Sequence, residues 1–329
     1  MLNMGIDSLS NKTVGDIYIY GAGELGQLSL KYLLHSGVTK IAGFIVSDGR
    51  EREIHIGGVR VYYLSEVKEL IHGKTILLAT GKFTKSILEE LQKYNLEQEC
   101  KLFVLDEDDF LVMNRVVNPI DDTKFMYHAN PADPYNGGSR GTTVSRYYIK
   151  RFLDYACGAI PRRENLKTYE VGDARYSNYY YPNAYHGVLD YKAGQDLTKN
   201  ETLPKGEFDI FFCTQVYNFL FDVPAAISGS RQVLKDDGYL LCTVVGNVSQ
   251  VIRGDMEDYG DYWRFTHLGI RRLIERFFDK DKIEIISYGN AMATTAYIQG
   301  MCVEDLPRKE LLDELDPEYA LVIGIIARK

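Results

Sequence analysis

Gly21-Ala22-Gly23-Glu24-Leu25-Gly26 is a GxGxxG run. Glycines at this spacing let a chain turn tightly and bring its backbone against a phosphate. The run follows the apolar segment Asp16–Tyr20 and opens into residues 27–35, whose apolar positions repeat at helical spacing and stop near Gly37. A helix starting there presents free N–H groups to an anion. The apolar segment Ile41–Val46 follows and is closed by Ser47-Asp48, where a carboxylate meets a ribose hydroxyl. Gly21, Gly23, Gly26 and Asp48 therefore describe a nucleotide-binding turn; the alternative is that the glycines only serve helix–strand packing. A second set lies in the other half of the chain. Glu170, Gly172, Asp190, Asp196 and Gln215 stand at or just beyond the ends of apolar runs, the places where open parallel sheets bind ligands. Tyr217 follows the third run, and Asp261 and His267 flank Trp263. Asp261 and His267 are candidates for a general base. The competing readings are that Arg264 holds an acid in a packing motif, that His267 is a capped surface residue at a helix start, and that His186 is structural.

The elements that must position these residues alternate. In the first half, strands are expected at Asp16–Tyr20, Ile41–Val46, Gly58–Val61, Thr75–Ala79 and Lys101–Leu105. Helices are expected over 27–35, Ser65–His72 and Lys82–Tyr94, with the acidic run Asp106–Asp109 closing the unit. In the second half, helices are expected at Thr143–Cys157, Asp222–Leu234 and Thr266–Phe278. Strands are expected at Thr168–Val171, His186–Leu189, Phe208–Cys213, Tyr239–Val245, Ile283–Ser287 and Tyr319–Ala327. Such alternation predicts two Rossmann-like doubly wound α/β sheets. Between them, Asn118-Pro119 to Gly141 is rich in proline and glycine and lacks periodicity. The expected division is 1–113, a linker over 114–141, and 142–329.

The whole chain bounds the function. Its 329 residues suit two domains, and 45% hydrophobic with 26% charged residues is ordinary for a globular protein. A net charge of −8 argues against a nucleic-acid partner, the cluster Arg271, Arg272 and Arg276 reading as a solvated helix face. Cys100, Cys157, Cys213, Cys242 and Cys302 are dispersed with no CxxC, which fits buried thiols in a reducing, cytoplasmic setting. Residues 1–12 lack an apolar signal core, and no run reaches the length of a membrane span. The histidines are scattered, so no metal site is expected. Of the 25 tyrosines, Tyr176, Tyr179, Tyr180, Tyr181 and Tyr185 cluster, as a groove lining or as surface packing.

Two resemblances follow from particular segments. "IYIYGAGELGQLSLKYLLHSG", "IAGFIVSD", "IGGVRVYYLSEV" and "KTILLATG" resemble the small Rossmann domains of bacterial surface-sugar enzymes, among them the N-terminal domains of sugar O-acyltransferases, which hold a nucleotide-sugar. The series "LKTYEVGD", "HGVLDY", "QDLT", "GEFDIFFCTQVYNFLFD", "VLKDDGYLLCTVVG" and "DYWRFTHLGIRRLIERF" resembles the class I S-adenosylmethionine (SAM)-dependent methyltransferases, more narrowly the methyltransferase-like domains found beside glycosyltransferases in surface-polysaccharide pathways.

That resemblance implies a second sheet of class I methyltransferase type, with Glu170 and Gly172 beside the methionine part of SAM, Asp190 on the ribose hydroxyls, Asp196 at the adenine amino group and Gln215 near the sulfonium. Tyr217, Asp261 and His267 would serve the acceptor: a hydroxyl or amine of a sugar, nucleotide-sugar or glycan intermediate of polysaccharide biosynthesis. The first half would recognise the nucleotide-sugar or build a homo-oligomer. The chain departs from the family's ExGxGxG loop, since Glu170 to Tyr176 keeps only Gly172 and adds Arg175 and Tyr176; SAM would then be held in an altered way. The alternatives are an NAD(P)-dependent oxidoreductase using the GxGxxG turn and a non-catalytic two-domain binding protein.

Overall fold

The computed structural model describes residue 6 and residues 16–120, 129–161, 163–251 and 253–329, the last of these by backbone alone over 253–255. The predicted linker's residues 121–128, and residues 1–12 apart from Ile6, lie outside the described residues. The chain divides into two compact units: 1–124 with 139–141, and 125–138 with 142–329.

The N-terminal unit runs β1 (Ile17–Tyr20), α1 (Glu24–His35), β2 (Ile41–Val46), β3 (His55–Ile56), β4 (Val59–Tyr63), α2 (Leu64–Val67), β5 (Thr75–Leu78), α3 (Thr84–Gln92), α4 (Leu96–Glu99), β6 (Lys101–Val104) and α5 (Glu107–Val117). The sheet order is β3-β4-β2-β1-β5-β6. Every pairing is parallel except β3–β4. Alternate residues of each strand feed opposite cores, because strand side chains change face at every step. Ile17 and Ile19 pack with Leu30, Leu33 and Met113 from α1 and α5. Tyr18 and Tyr20 pack with Leu64, Ile87 and Leu96 from α2, α3 and α4.

The acidic run does not close the unit. Asp106 accepts from the backbone N–H of Asp109 at 2.9 Å, and the Asp109 carboxylate accepts from the N–H of Asp106. This reciprocal cap starts α5, which the expectation missed, since carboxylates in a first helical turn satisfy its free donors. The helix then runs through the first residues of the interval expected as linker.

The C-terminal unit continues with α6 (Val144–Ala159), β7 (Lys167–Val171), α7 (Arg175–Tyr180), β8 (Tyr185–Leu189), β9 (Phe208–Thr214), α8 (Val223–Val233), β10 (Leu234–Val245), α9 (Arg253–Asp258), α10 (His267–Ile274), β11 (Ile283–Tyr288), α11 (Ala291–Ile298) and β12 (Val322–Arg328). The order is β11-β12-β10-β9-β7-β8, with β12 antiparallel to both its neighbours and the other pairs parallel. Helices α8 and α10 cover one face through Ala226, Ile227, Ile270 and Ile274. On α6, Val144, Tyr148, Phe152 and Leu153 are buried. Gly324 in β12 lets it approach: a Cβ there would lie 2.2 Å from the Phe152 ring. Both units are thus doubly wound α/β sheets.

Residues 129–138 belong to the C-terminal unit. Ala132 N–H donates to Gln299 O at 2.8 Å and Asn136 Nδ2 to the Tyr297 hydroxyl at 3.0 Å. Gly137 and Gly300 allow the close approach: a Cβ at Gly137 would sit 2.5 Å from Met301 O, and one at Gly300 2.3 Å from Asp133 O. All five cysteines are buried and unpaired by disulfide.

Candidate functional site

In the C-terminal unit β7 neighbours β9 on one side and β8 on the other, so the chain reverses its direction of winding between β7 and β9. At such a switch point the loops diverge and leave a crevice above the carboxyl ends. Gly172 follows β7 with φ 83°, a left-handed conformation that costs glycine little, and a Cβ there would meet nothing within 4 Å. Asp190 ends β8 exposed; Oδ1 accepts from the N–H of Lys192 at 2.8 Å. Gln215 ends β9 in the left-handed region at φ 56°, a strained conformation for a side-chain-bearing residue. Its N–H donates to Thr243 O at 2.8 Å, and its Nε2 to Thr243 Oγ1 at 3.2 Å.

The other two residues expected to touch the cofactor are engaged by the chain itself. Glu170 is 3% exposed and accepts the N–H groups of Tyr176 and Ser177 at 3.1 and 2.8 Å. It thereby satisfies two free donors in the first turn of α7. Burial pushes its pKa up, against the Ser177 and Tyr176 hydrogen bonds that pull it down. Asp196 accepts from Thr198 N–H and Oγ1 at 2.9 and 2.7 Å and pairs with Lys199 at 3.0 Å. Burial opposes its charge, but these partners hold its pKa below the usual value.

The expected catalytic trio is not brought together. Tyr217 is fully buried, its hydroxyl donating to Ser230 Oγ at 2.8 Å; burial drives its pKa far up. It is a core residue, because the turn after β9 points it beneath the loop. Asp261 has a side chain 3% exposed and forms a two-pronged pair with Arg264 at 2.6 and 2.8 Å. His267 Nδ1 meets Ser287 Oγ of β11 at 3.2 Å. From β11, strands β12 and β10 intervene before β9, three spacings or roughly 14 Å. Desolvation, helped by the charge of Arg271, lowers its pKa.

The pair Asp261–Arg264 belongs to a polar chain that single-residue reading did not reveal. Asn218 Nδ2 donates to Asp261 at 3.3 Å. Arg264 donates to Gln250 O, and Gln250 Nε2 to Asn136 Oδ1. Asn136 reaches Tyr297. The loop after β9 is thereby tied to residues 129–138 and to α11. Beside it stand Phe221, Tyr262 and Trp263, with ring centroids 5.5 and 5.8 Å from Phe221, and Trp263 Nε1 donates to Leu220 O at 3.1 Å.

The N-terminal unit has its own switch point, between β1 and β5, and a cleft of about 820 Å³ opens there. Tyr20, Gly21, Gly23, Ser47, Arg50 and Lys82 are among its walls. The three glycines divide by role. A Cβ on Gly21 would lie 2.4 Å from Ala79 O and one on Gly26 1.9 Å from Gly21 O, whereas one on Gly23 would meet nothing within 4 Å. Gly21 and Gly26 serve packing; Gly23 opens space. Asp48 does not line the cleft, because Ser65 at the start of α2 donates to it through both Oγ and N–H. Of the cleft walls, Ser47 Oγ and Tyr20 OH donate to Glu90 Oε2 at 2.6 and 2.9 Å. Arg50, Lys82 and Glu90 carried no signal in the sequence beyond standing near strand ends or one helical face. No group of three or more His, Cys, Asp or Glu suited to a metal occurs among the described residues, and no helix there is long and apolar enough to cross a membrane.

No family model matches the chain and no curated protein matches it in sequence. Among solved structures it is similar to a SAM-dependent methyltransferase from Archaeoglobus fulgidus, with 11% identity, 56% of this chain and 92% of that chain covered, and a TM-score of 0.36. A SAM-dependent methyltransferase from Mesorhizobium loti gives 14% identity, coverage of 57% and 98%, and a TM-score of 0.37. A Haemonchus contortus phosphoethanolamine N-methyltransferase 2, solved with phosphomonomethylethanolamine and S-adenosylhomocysteine, gives 8% identity, coverage of 98% and 96%, and a TM-score of 0.34.

Proposed function

We propose that the C-terminal unit is a SAM-dependent methyltransferase acting in the cytoplasm on a hydroxyl or amine of a sugar, nucleotide-sugar or glycan intermediate of polysaccharide biosynthesis, with the N-terminal unit recognising a nucleotide-sugar. The observation that carries the reading is the switch point of the C-terminal sheet, where Gly172 leaves open space at the end of β7 and Asp190 exposes a carboxylate at the end of β8. These two residues fit the group: Gly172 lets a ligand approach the backbone, and Asp190 can accept from ribose hydroxyls. SAM supplies the methyl group on its sulfonium. The chain's part is alignment, since in-line displacement at carbon is accelerated chiefly by holding donor and acceptor in place. Glu170 fixes the turn that carries Gly172, and Gln215 holds the end of β9 against β10. The sugar class of the acceptor is supported by the sequence resemblance.

Titration calorimetry of the purified protein with SAM and S-adenosylhomocysteine tests this. Micromolar binding is expected, weakened about tenfold or more in Asp190→Ala through loss of a charge-assisted bond. A folded protein that binds neither compound sinks the reading. A non-catalytic binding protein is then favoured by a specific observation: Tyr217, Asp261 and His267 are spent on core, ion pair and edge strand. The oxidoreductase reading loses support because Asp48, the acid expected at a dinucleotide's ribose, is not among the walls of the N-terminal cleft.

A further inference from the structure

We propose that the aromatic cluster beyond β9 is a stacking platform for an uncharged sugar ring, with Phe221, Tyr262 and Trp263 as the residues that hold it. The inference rests on the methyltransferase reading above for what is done to that sugar, and it narrows the acceptor to one whose bound part carries no phosphate. Binding of the sugar itself is independent of SAM.

Two segments build the cluster. Residues 217–222 leave the carboxyl end of β9, and residues 259–265 run past that of β10, where Phe265 N–H donates to Val245 O at 3.1 Å. Tyr262 N–H donates to Asn218 O at 2.8 Å and joins the two. Strand β9 borders the switch point, so the cluster stands at the end of the sheet where ligands sit. Phe221, Tyr262 and Trp263 are 72, 53 and 38% exposed, yet the Phe221 ring is in contact with both of the others. Three large rings gathered in water form a patch, unlike single exposed residues, and such patches mark binding surfaces. The rings are also held in place. Trp263 Nε1 is pinned to Leu220 O. Gly260 has φ 82°, and a Cβ there would lie 2.5 Å from the Tyr262 hydroxyl, so the ring occupies a position that only glycine leaves open. Side chains fixed beforehand lose little freedom when a ligand arrives.

The neighbouring charges choose the occupant. Asp222 adjoins Phe221 and Asp258 adjoins Tyr259 in the chain, and both acids are exposed. The Arg264 guanidinium is bound to Asp261. A nucleotide, a phosphate or an anionic lipid headgroup would be repelled by these carboxylates. An alkyl chain would use the rings and leave the acids beside it without a donor. A sugar uses both: its C–H face packs on an aromatic face, the negative side of the ring quadrupole, and its hydroxyls donate to carboxylates. Tyr259, 66% exposed and 6.0 Å from the Phe219 ring, adds an aromatic face and a hydroxyl from the same two segments.

Trp263 is the only tryptophan of the chain, so its fluorescence reports this site. The test is titration of the full chain with methyl glycosides of glucose, galactose, mannose and N-acetylglucosamine, with maltotriose and chitotriose, with UDP-N-acetylglucosamine, and with phosphatidylcholine vesicles. The expected result is a saturable change in Trp263 emission with at least one neutral sugar and none with the nucleotide-sugar or the vesicles. Phe221→Ala and Tyr262→Ala should each weaken that sugar about fivefold. Both rings are exposed, so the melting temperature and the affinity for SAM should stay as they were. Tyr179→Ala, which removes a similarly exposed ring on α7, should change none of these. No response to any neutral sugar, wild-type affinity in both platform variants, or a stronger response to UDP-N-acetylglucosamine or to vesicles would each overturn the proposal. So would emission that shifts with protein concentration in the absence of sugar, which would assign the patch to a second copy of the chain. Failure to bind SAM would sink the methyltransferase reading and leave sugar binding standing.

Discussion

Tyr217 and His267 look like reactive groups in a list of residues and become something else once their neighbours are known. The Tyr217 hydroxyl lies in the core against Ser230, which itself donates to Ala226 O at 2.8 Å. Tyr217→Phe should therefore cost about 1 kcal/mol of stability, read as a shift in denaturant midpoint, and leave ligand binding alone. For His267 the prediction is one of pH. Its folded-state pKa lies below 6.5, chiefly through desolvation. A group depressed in this way contributes stability above its unfolded value and loses it as pH falls through the folded one. The melting temperature should fall as pH drops below about 6.5, and His267→Gln should flatten that part of the curve; a variant with the wild-type slope would show that other groups carry it. At this scale the sequence was least informative. Glu170 and Asp190 do stand at the ends of β7 and β8, whereas Asp196 lies in the connection to β9, and the sequence could not show that Thr198 and Lys199 had claimed Asp196, or Ser177 Glu170.

Gly23 and Gly26 stand three positions apart in one turn and predict opposite outcomes. Alanine at Gly26 would drive a Cβ to 1.9 Å from Gly21 O, backbone against backbone, and should destabilise the N-terminal unit by more than about 3 kcal/mol. Alanine at Gly23 meets open space and has φ −75°, so the protein should fold normally while the cleft loses affinity for its ligand; equal melting temperatures for the two variants would refute this assignment. Elements with a clean polar–apolar rhythm are legible in the sequence. β2 fell where expected, and Asp222 and Thr266 do cap α8 and α10, accepting from Ala225 and Gly269 at 3.0 and 3.1 Å. Helices α4, α5, α7, α9 and α11 were not expected, and for two of them the physical reason is plain. Helix α5 hid behind an acidic run that reads equally as a terminator or a cap. Helix α11, Ala-Met-Ala-Thr-Thr-Ala-Tyr-Ile, has no polar stripe, so no periodicity announced it. The strand expected to start at Tyr319 begins at Val322 because Asp316 and Pro317 impose a 3-10 turn first.

For the molecule as a whole, the division into two α/β units was visible from the repeated alternation, but the boundary between them was not. Proline and glycine near residue 130 suggested a connection, whereas Gly137 is there because Met301 O leaves no room for a side chain. A fragment starting at residue 129 should consequently be more stable than one starting at 142, which forfeits the Ala132–Gln299 and Asn136–Tyr297 hydrogen bonds and the close approaches of Gly137 to Met301 and of Gly300 to Asp133; similar unfolding midpoints for the pair would count against this. The buried cysteines carry a different consequence. Cys100 donates to Ile71 O within the N-terminal unit at 3.1 Å, while Cys157, Cys213, Cys242 and Cys302 are in the C-terminal unit. Cys213 and Cys242 sit side by side in the register of β9 and β10 at 0% exposure. A maleimide can alkylate a thiol only after the structure around it opens, so label arriving at each cysteine times that opening. Mass spectrometry of partially labelled chains would separate one adduct from four, and the native sequence thus holds an internal clock for each half without any engineered probe.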